Sequence, residues 1–229
     1  QGTVGLLLTP QGHILAEVET FALEDSILAA SHVMVRERTF STFDKFIIMD
    51  DVTLTDVTAT TGTLDLVGPR AATLISELCG INLADMPALA HREGTLGSIP
   101  CRVVHRMWAG HSSATLIVLR ELLAPLCRAL EARVRAHGVT VSGREAINSI
   151  RIEFGTPWFG TDYDDKHIPH EAGLEHSHIS YEKGCYTGQE IVERVRSRGH
   201  ANRRLATLQF LATEPPAART KLFAPGSTP

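Results

Sequence analysis

Apolar and polar positions along the chain change period several times, and each change predicts an element. Val4–Thr9 and His13–Leu23 are rich in strand formers and flank Pro10-Gln-Gly12, which is turn chemistry, so a β-hairpin is predicted. Ile27–Ser31 reads as a further strand. From Phe40 to Ile47 the apolar residues recur three and four apart, the spacing of an amphipathic helix, and Val52–Val57 then alternates as a half-buried strand does. Leu64–Val67 is a strand. Gly68-Pro69 opens a helix whose buried stripe is Leu74, Ile75 and Leu78, and Gly80 ends it. Ile99–His105 and Ala114–Leu119 are strands around the loop 108–113. Leu122, Leu126, Leu130 and Val134 mark a helix that stops at Gly138, with Pro125 tolerable only near its first turn. Ser142 followed by Glu145 reads as a capping box for a helix that buries Ala146, Ile147 and Ile150. Ile191 to Gly199 reads as a short helix, with Glu190 and Glu193 near its start, Arg196 and Arg198 near its end, and Gly199 as its cap.

This order of elements is an α+β layout, with a suggestion of two similar halves and no exact repeat or heptad. The composition changes that picture little. At 229 residues and 43% hydrophobic, the chain has the make-up of a globular protein with a sizeable core. A net charge of −4 argues against nonspecific nucleic-acid binding, while leaving room for local anion sites. Cys79, Cys101, Cys127 and Cys185 lie far apart with no C-x-x-C pair, which fits reduced thiols rather than a zinc or ferredoxin pattern. No apolar run reaches the ~20 residues of a membrane span, and there is no signal-peptide pattern. The start at Gln1 and the Pro-rich end read as a fragment or an abbreviated tail.

Chemistry concentrates late in the chain. Tyr181-Glu-Lys-Gly-Cys-Tyr-Thr-Gly-Gln-Glu190 brings a lysine, a thiol, two glycines and a carboxylate into one turn. Cys185 stands just before a helix N-terminus and two residues after Lys183, and both features favour a thiolate. The alternative is a small interior cysteine in a tight turn. Upstream, Asp162, Asp164, Asp165, His167, His170, Glu171, Glu175, His176 and His178 crowd a stretch that Gly and Pro break. The better reading is a solvated acidic loop rather than a metal centre. Arg203-Arg204 is either a carboxylate-binding fork or a surface pair entering a strand.

Lys183-Gly-Cys-Tyr-Thr-Gly-Gln-Glu190 resembles the K-G-C-Y-x-G-Q-E signature of the YgfZ-type folate-binding proteins, relatives of the glycine-cleavage T-protein. Arg151-Ile-Glu-Phe-Gly-Thr-Pro-Trp-Phe-Gly-Thr-Asp162 is similar to that family's R-I-E-x-G-x-P-x-x-G-x-D. Pro169-His-Glu-Ala-Gly-Leu-Glu175, Gly199-His-Ala-Asn-Arg-Arg-Leu205 and Leu8-Thr-Pro-Gln-Gly-His-Ile-Leu15 resemble its other segments. The resemblance implies a two-lobed T-protein-like folate-binding domain over residues 1–200, with folate in a central channel. It also implies that residues 201–229 begin a C-terminal β-barrel, whose opening strand follows Leu205. It further implies a tetrahydrofolate or derivative as cofactor, and iron–sulfur enzymes or assembly factors, including those of tRNA modification, as partners. The compartment would be a bacterial cytoplasm, or a mitochondrial matrix in a eukaryote. Carried onto this chain, Cys185 and Lys183 would be the reactive pair. Arg151, Glu153, Asp162, Glu171, Tyr186 and Gln189 would face the folate, and Arg203 and Arg204 would meet its glutamate tail.

Two departures stand out. T-protein aminomethyltransferases carry an aspartate after the early strand that activates the folate amine. The comparable stretch here, Ser31 to Thr39, has none, and Glu37 is a poor stand-in. The family's G-E-x-G turn is matched only by Gly110-His-Ser-Ser113, without the glutamate. The first departure speaks against glycine-cleavage chemistry; the second speaks against tight pterin binding and leaves a noncatalytic adaptor for iron–sulfur assembly, with weak or no folate binding, as the alternative.

Overall fold

The hairpin turn is built as its sequence dictates: Thr9 and His13 close it, the Thr9 N–H donating to His13 O at 2.9 Å, and Gly12 takes a left-handed φ of 79°. The computed structural model describes residues 1–211, 214, 216–217 and 219–223. The turn joins β1 (Gly2–Leu8) to β2 (Ile14–Ala22), and β3 (Ile27–Ser31) completes an antiparallel sheet in the order β1-β2-β3. Along β2 the alternation is strict at its start: Ile14, Ala16 and Val18 are buried, while Leu15, Glu17 and Glu19 point to the other face.

A second antiparallel sheet has the order β4-β7-β6-β5, from β4 (Thr61–Leu66), β5 (His91–Leu96), β6 (Ile99–Trp108) and β7 (His111–Leu119). Helices α2 (Ala71–Cys79) and α3 (Arg120–Val134) share its core, where Leu74, Ile75, Leu116 and Leu126 are almost wholly removed from water. Burial at about 25 cal/mol per Å² of apolar surface makes this aliphatic cluster the main source of stability. Helix α1 (Arg36–Phe46) lies against β2, α4 (Arg144–Glu153) leads into the segment 154–188, and α5 (Gln189–Arg198) follows that segment. The two sheets touch where β1 and β2 reach the start of β5: a Cβ on Gly2 would stand 2.3 Å from Leu89 O, and the Phe21 and His91 rings pack edge-on at 5.6 Å.

The architecture is mixed α/β, with most of the predicted elements in place. Gly80 and Gly138 cap their helices with φ of 67° and 70°. Other expectations are corrected. Residues 52–57 form no strand; Val52 is 57% exposed, and among the described residues no strand stands beside it to complete a ladder. Strand β5 went unread because Arg92, Glu93 and Gly94 interrupt its apolar positions. The predicted loop 108–113 is a tight turn on Ala109 and Gly110, both with positive φ (49° and 72°), the conformation that matches strand twist. Pro125 sits in the second turn of α3 rather than the first. No capping box forms at α4, whose N-cap is Gly143, and the deeply buried member of that helix is Arg151, not Ala146. Gly199 follows α5 in an extended conformation. Residues 205–211 join neither sheet, although the Leu205 N–H donates to Glu171 O at 2.8 Å.

Candidate functional site

Between the sheets lies a cleft of about 560 Å³, within the range of small-molecule sites. Two strands supply its acids. The outward face of β2 gives Glu17 and Glu19, and β4 gives Asp65. The end of β3 adds Ala30, Ser31 and His32, α4 adds Arg144, and the loop after α4 closes the cleft with Trp158 and Phe159.

These carboxylates are fixed by neighbours. Arg106 of β6 crosses from the second sheet to Glu19 as a two-pronged pair, with its Nη2 donating to Oε2 at 2.7 Å. Its Nε donates to Thr115 Oγ1 at 3.1 Å, and the Thr115 hydroxyl donates to Asp65 Oδ1 at 2.5 Å. Glu17 accepts from the Tyr163 hydroxyl, and His178 Nε2 lies 3.5 Å from the same oxygen. Burial pushes the Glu17 carboxyl up, but the His178 and Tyr163 hydrogen bonds and the His178 and Arg106 charges outweigh it and hold it below the usual range. Burial and the adjacent Glu17 charge drive the Tyr163 phenol well above its usual range, so it stays a donor.

The aromatic wall is held from behind. Arg151 is 3% exposed, and its guanidinium donates to Asn148 Oδ1 at 2.8 Å, Thr156 O at 3.2 Å and Asp162 Oδ2 at 2.5 Å. Asp162 Oδ2 also receives the Trp158 N–H at 2.8 Å, and the Arg151 guanidinium lies 4.6 Å from the Trp158 ring centroid. Arg151 and Asp162 therefore shape the cleft through Trp158. Glu153, two positions further along α4, is turned outward to solvent and lines no cleft, since residues two apart cannot share a helix face.

A second cleft of about 230 Å³ gathers Asp162, Tyr163, His167, Glu171, Arg203 and Arg204. Here Glu171 takes the Arg203 Nε at 2.9 Å and the Ile168 N–H at 3.2 Å. Burial again works to raise this carboxyl, and the Arg203 hydrogen bond, the Ile168 N–H and nearby positive charge bring it below its usual value. Arg203 is thus engaged with Glu171, while Arg204 makes no carboxylate pair among the described residues.

The loop 181–188 divides into a buried and an exposed part. Gly188 has φ 84°, and a Cβ there would meet Thr9 O at 2.5 Å, so this glycine lets the β1–β2 turn and the start of α5 pack together. Gln189 Oε1 accepts the Tyr186 N–H at 3.3 Å, and the Tyr186 hydroxyl is buried with no hydrogen-bond partner among the described residues. Cys185 and Lys183 are exposed, the lysine with its ammonium 4.6 Å from the Tyr186 ring centroid. Cys185 precedes the first residue of α5 by a turn rather than standing at its cap. Neither Cys185 nor Lys183 lines either cleft.

The structure brings together Asp162, Glu171, Arg203 and Arg204, and joins Arg151 to them through Asp162. Sequence reasoning did not single out Glu17, Glu19 and Asp65. Their signal was the strand alternation itself, which sets these acids opposite the buried positions. Glu37 is exposed in the first turn of α1, away from both clefts.

A family model described as the GCVT N-terminal domain matches residues 1–180. The aminomethyltransferase of Moorella thermoacetica is 26% identical over 175 residues, which cover 76% of this chain and 47% of that protein. The aminomethyltransferase of Rippkaea orientalis is 24% identical over 218 residues, covering 92% of this chain and 57% of that one. Among solved structures, glycine cleavage system aminomethyltransferase T from Bartonella henselae matches with a TM-score of 0.69 at 17% identity, over 86% of this chain and 53% of that chain. The chain spans about half the length of the curated relatives it matches, and at this identity the structural likeness speaks to the fold alone.

Proposed function

The chain belongs to the GCVT N-terminal domain family, and on that premise we propose that its main cleft binds a tetrahydrofolate or a derivative. The observation that carries this reading is one cavity in which Glu17, Glu19 and Asp65 face Trp158 and Phe159. A reduced pteridine keeps a planar pyrimidine ring and is edged with N–H donors. Ionised carboxylates accept from such an edge, and an indole face covers the ring. Arg204, on the second cleft, is the guanidinium best suited to a glutamate tail, because Glu171 already engages Arg203. Residues 1–200 would form the folate-binding unit, and residues 201–229 would open a further barrel.

The finer reading follows the loop signature: a YgfZ-type protein that supports assembly or repair of iron–sulfur enzymes, with Cys185 as its thiol. The exposure of Cys185 and Lys183, on a loop anchored by Gly188, supports it. One cysteine does not hold a cluster alone, so the thiol would act with a client or assembly factor. A second reading, transfer of an aminomethyl group as the relatives' name describes, gains from Glu17, which puts an ionised carboxylate in the cleft where the region Ser31 to Thr39 offers none.

Calorimetric titration with tetrahydrofolate tests the folate reading. Saturable binding that Trp158→Ala or Asp65→Asn weakens about tenfold or more is expected. Heat no larger than dilution at near-millimolar ligand would sink it. Activity of iron–sulfur enzymes in cells that depend on this chain tests the thiol. Cys185→Ala should lower it with folding retained, and unchanged activity would favour an adaptor.

A further inference from the structure

Glu17 differs from the other cleft acids in what holds it. Glu19 and Asp65 are tied to the second sheet through Arg106 and Thr115. Both partners of Glu17 come instead from the irregular segment between α4 and α5: the hydroxyl of Tyr163 and the Nε2 of His178. Among the described residues both contacts fall on Oε2, leaving Oε1 of this cleft-lining carboxylate without a protein donor. Tyr163 is 2% exposed, and its ring supports Phe159 of the cleft wall edge-on at 5.6 Å. The same tyrosine lines the second cleft, so it stands in the partition between the two cavities.

We infer that Tyr163 and His178 are positioning residues that clamp one oxygen of Glu17, so that the other is presented as a fixed hydrogen-bond acceptor to a ligand N–H in the main cleft. The inference rests on the folate reading for the ligand's identity, but the clamp itself is a property of the chain. Physically, a half-buried carboxylate without donors takes up a proton more readily and would meet the ligand as a neutral acid. The Tyr163 donor and the His178 ring against the same oxygen oppose that protonation and restrict the carboxyl plane, removing rotamer freedom before the ligand arrives. Arg106 adds its charge from β6. Glu19 and Asp65, which face Glu17 around the cleft, act in the opposite sense, while His32 and Arg144 complete the ring of charged or titratable groups.

The sign follows from these contacts. Glu17 is held below the usual carboxylate range, so in the wild type it stays ionised to lower pH than an ordinary glutamate, and ligand binding fades only where it takes up its proton. Tyr163→Phe keeps the buried ring and its support of Phe159 but deletes the donor. Burial then acts against weaker opposition and the carboxyl titrates at higher pH.

The experiment is a pH titration of the Glu17 side-chain carboxyl by carbon NMR in glutamate-labelled full chain, its resonance assigned by loss in Glu17→Gln. Tyr163→Phe is expected to move the midpoint upward, and His178→Gln to move it upward independently, which keeps the test intact if one variant fails to fold. Tetrahydrofolate binding is then measured against pH. The low-pH limb should shift upward with the carboxyl in each folded variant, and affinity at pH 8 should also fall, because the carboxyl plane is no longer fixed before the ligand arrives. An unchanged Glu17 midpoint in the folded variants overturns the clamp. A shifted midpoint with an unshifted binding profile overturns its role toward the ligand. If the wild type does not bind tetrahydrofolate at all while the midpoints shift, the folate reading fails and the clamp stands.

Discussion

The sheet β4-β7-β6-β5 with α2 and α3, and the segment from Arg151 to Gly188, are specified by different physics. The first is an aliphatic core, with Val103, Leu116, Leu126 and Ile75 packed at 0% exposure. The second has little regular structure. Beside the small cluster of Tyr163, Leu174 and Val192, it is held by polar fasteners: Arg151 on Asp162, Tyr163 on Glu17, and Arg203 on Glu171. An aliphatic core tolerates repacking and falls off smoothly with lost volume. A buried ion pair depends on both partners, and removing one leaves an uncompensated charge. The cleft takes its scaffold acids from the first kind of structure and its wall from the second.

The largest effect that separates the two regions should come from Arg151→Ala. It strands Asp162 and the Thr156 carbonyl, and a loss of roughly 3–5 kcal/mol in denaturant unfolding is expected. Arg151→Met with Asp162→Asn should cost clearly less than the sum of the single changes; strict additivity would mean that the pair is not coupled. Leu116→Ala in the aliphatic core should cost about 2–5 kcal/mol, and that loss should be independent of salt and pH between 5 and 8. A salt-dependent loss there would blur the distinction.

A smaller effect comes from pH. The folded-state carboxyls of Glu17 and Glu171 lie below their unfolded values, so their contribution is complete above the unfolded value and is lost as pH falls through the folded one. Thermal unfolding followed from pH 6 to pH 3 should therefore fall less steeply in Glu171→Gln than in wild type. Parallel curves would remove Glu171 from the account. Smallest of all is Glu190→Ala on α5, which breaks only the exposed pair with Arg194 at 2.8 Å and should change stability by no more than about 0.5 kcal/mol.

The same contrast explains what could be read from the sequence. Leu122, Leu126, Leu130 and Val134 announced α3, and Pro10-Gln-Gly12 announced the first hairpin, because burial there has a period. Strand β5 carries Arg92 and Glu93 on an edge where half its surface faces water, so its pattern was faint. The alternation of 52–57 was periodic but had no partner strand, and a period alone does not supply hydrogen bonds. In the site, Arg151, Asp162, Glu171 and Arg203 were singled out by family resemblance, and in three dimensions Arg151 pairs with Asp162 and Arg203 with Glu171. Glu17 and Asp65 stand on the strand faces opposite the buried positions, where alternation alone marks no site. Only the return of Trp158, Phe159 and Tyr163 across the sheets turns those faces into a cleft, and no local pattern encodes that return.

The chain has two tryptophans, Trp108 and Trp158, and only Trp158 lines the main cleft. In Trp108→Phe the fluorescence therefore reports that wall alone, and titration with tetrahydrofolate tests directly whether the ligand sits between the sheets. The account predicts saturable quenching of Trp158, with a midpoint matching calorimetry, and abolished in Trp108→Phe carrying Trp158→Phe. Calorimetric binding with Trp158 emission unchanged would place the ligand elsewhere and contradict it.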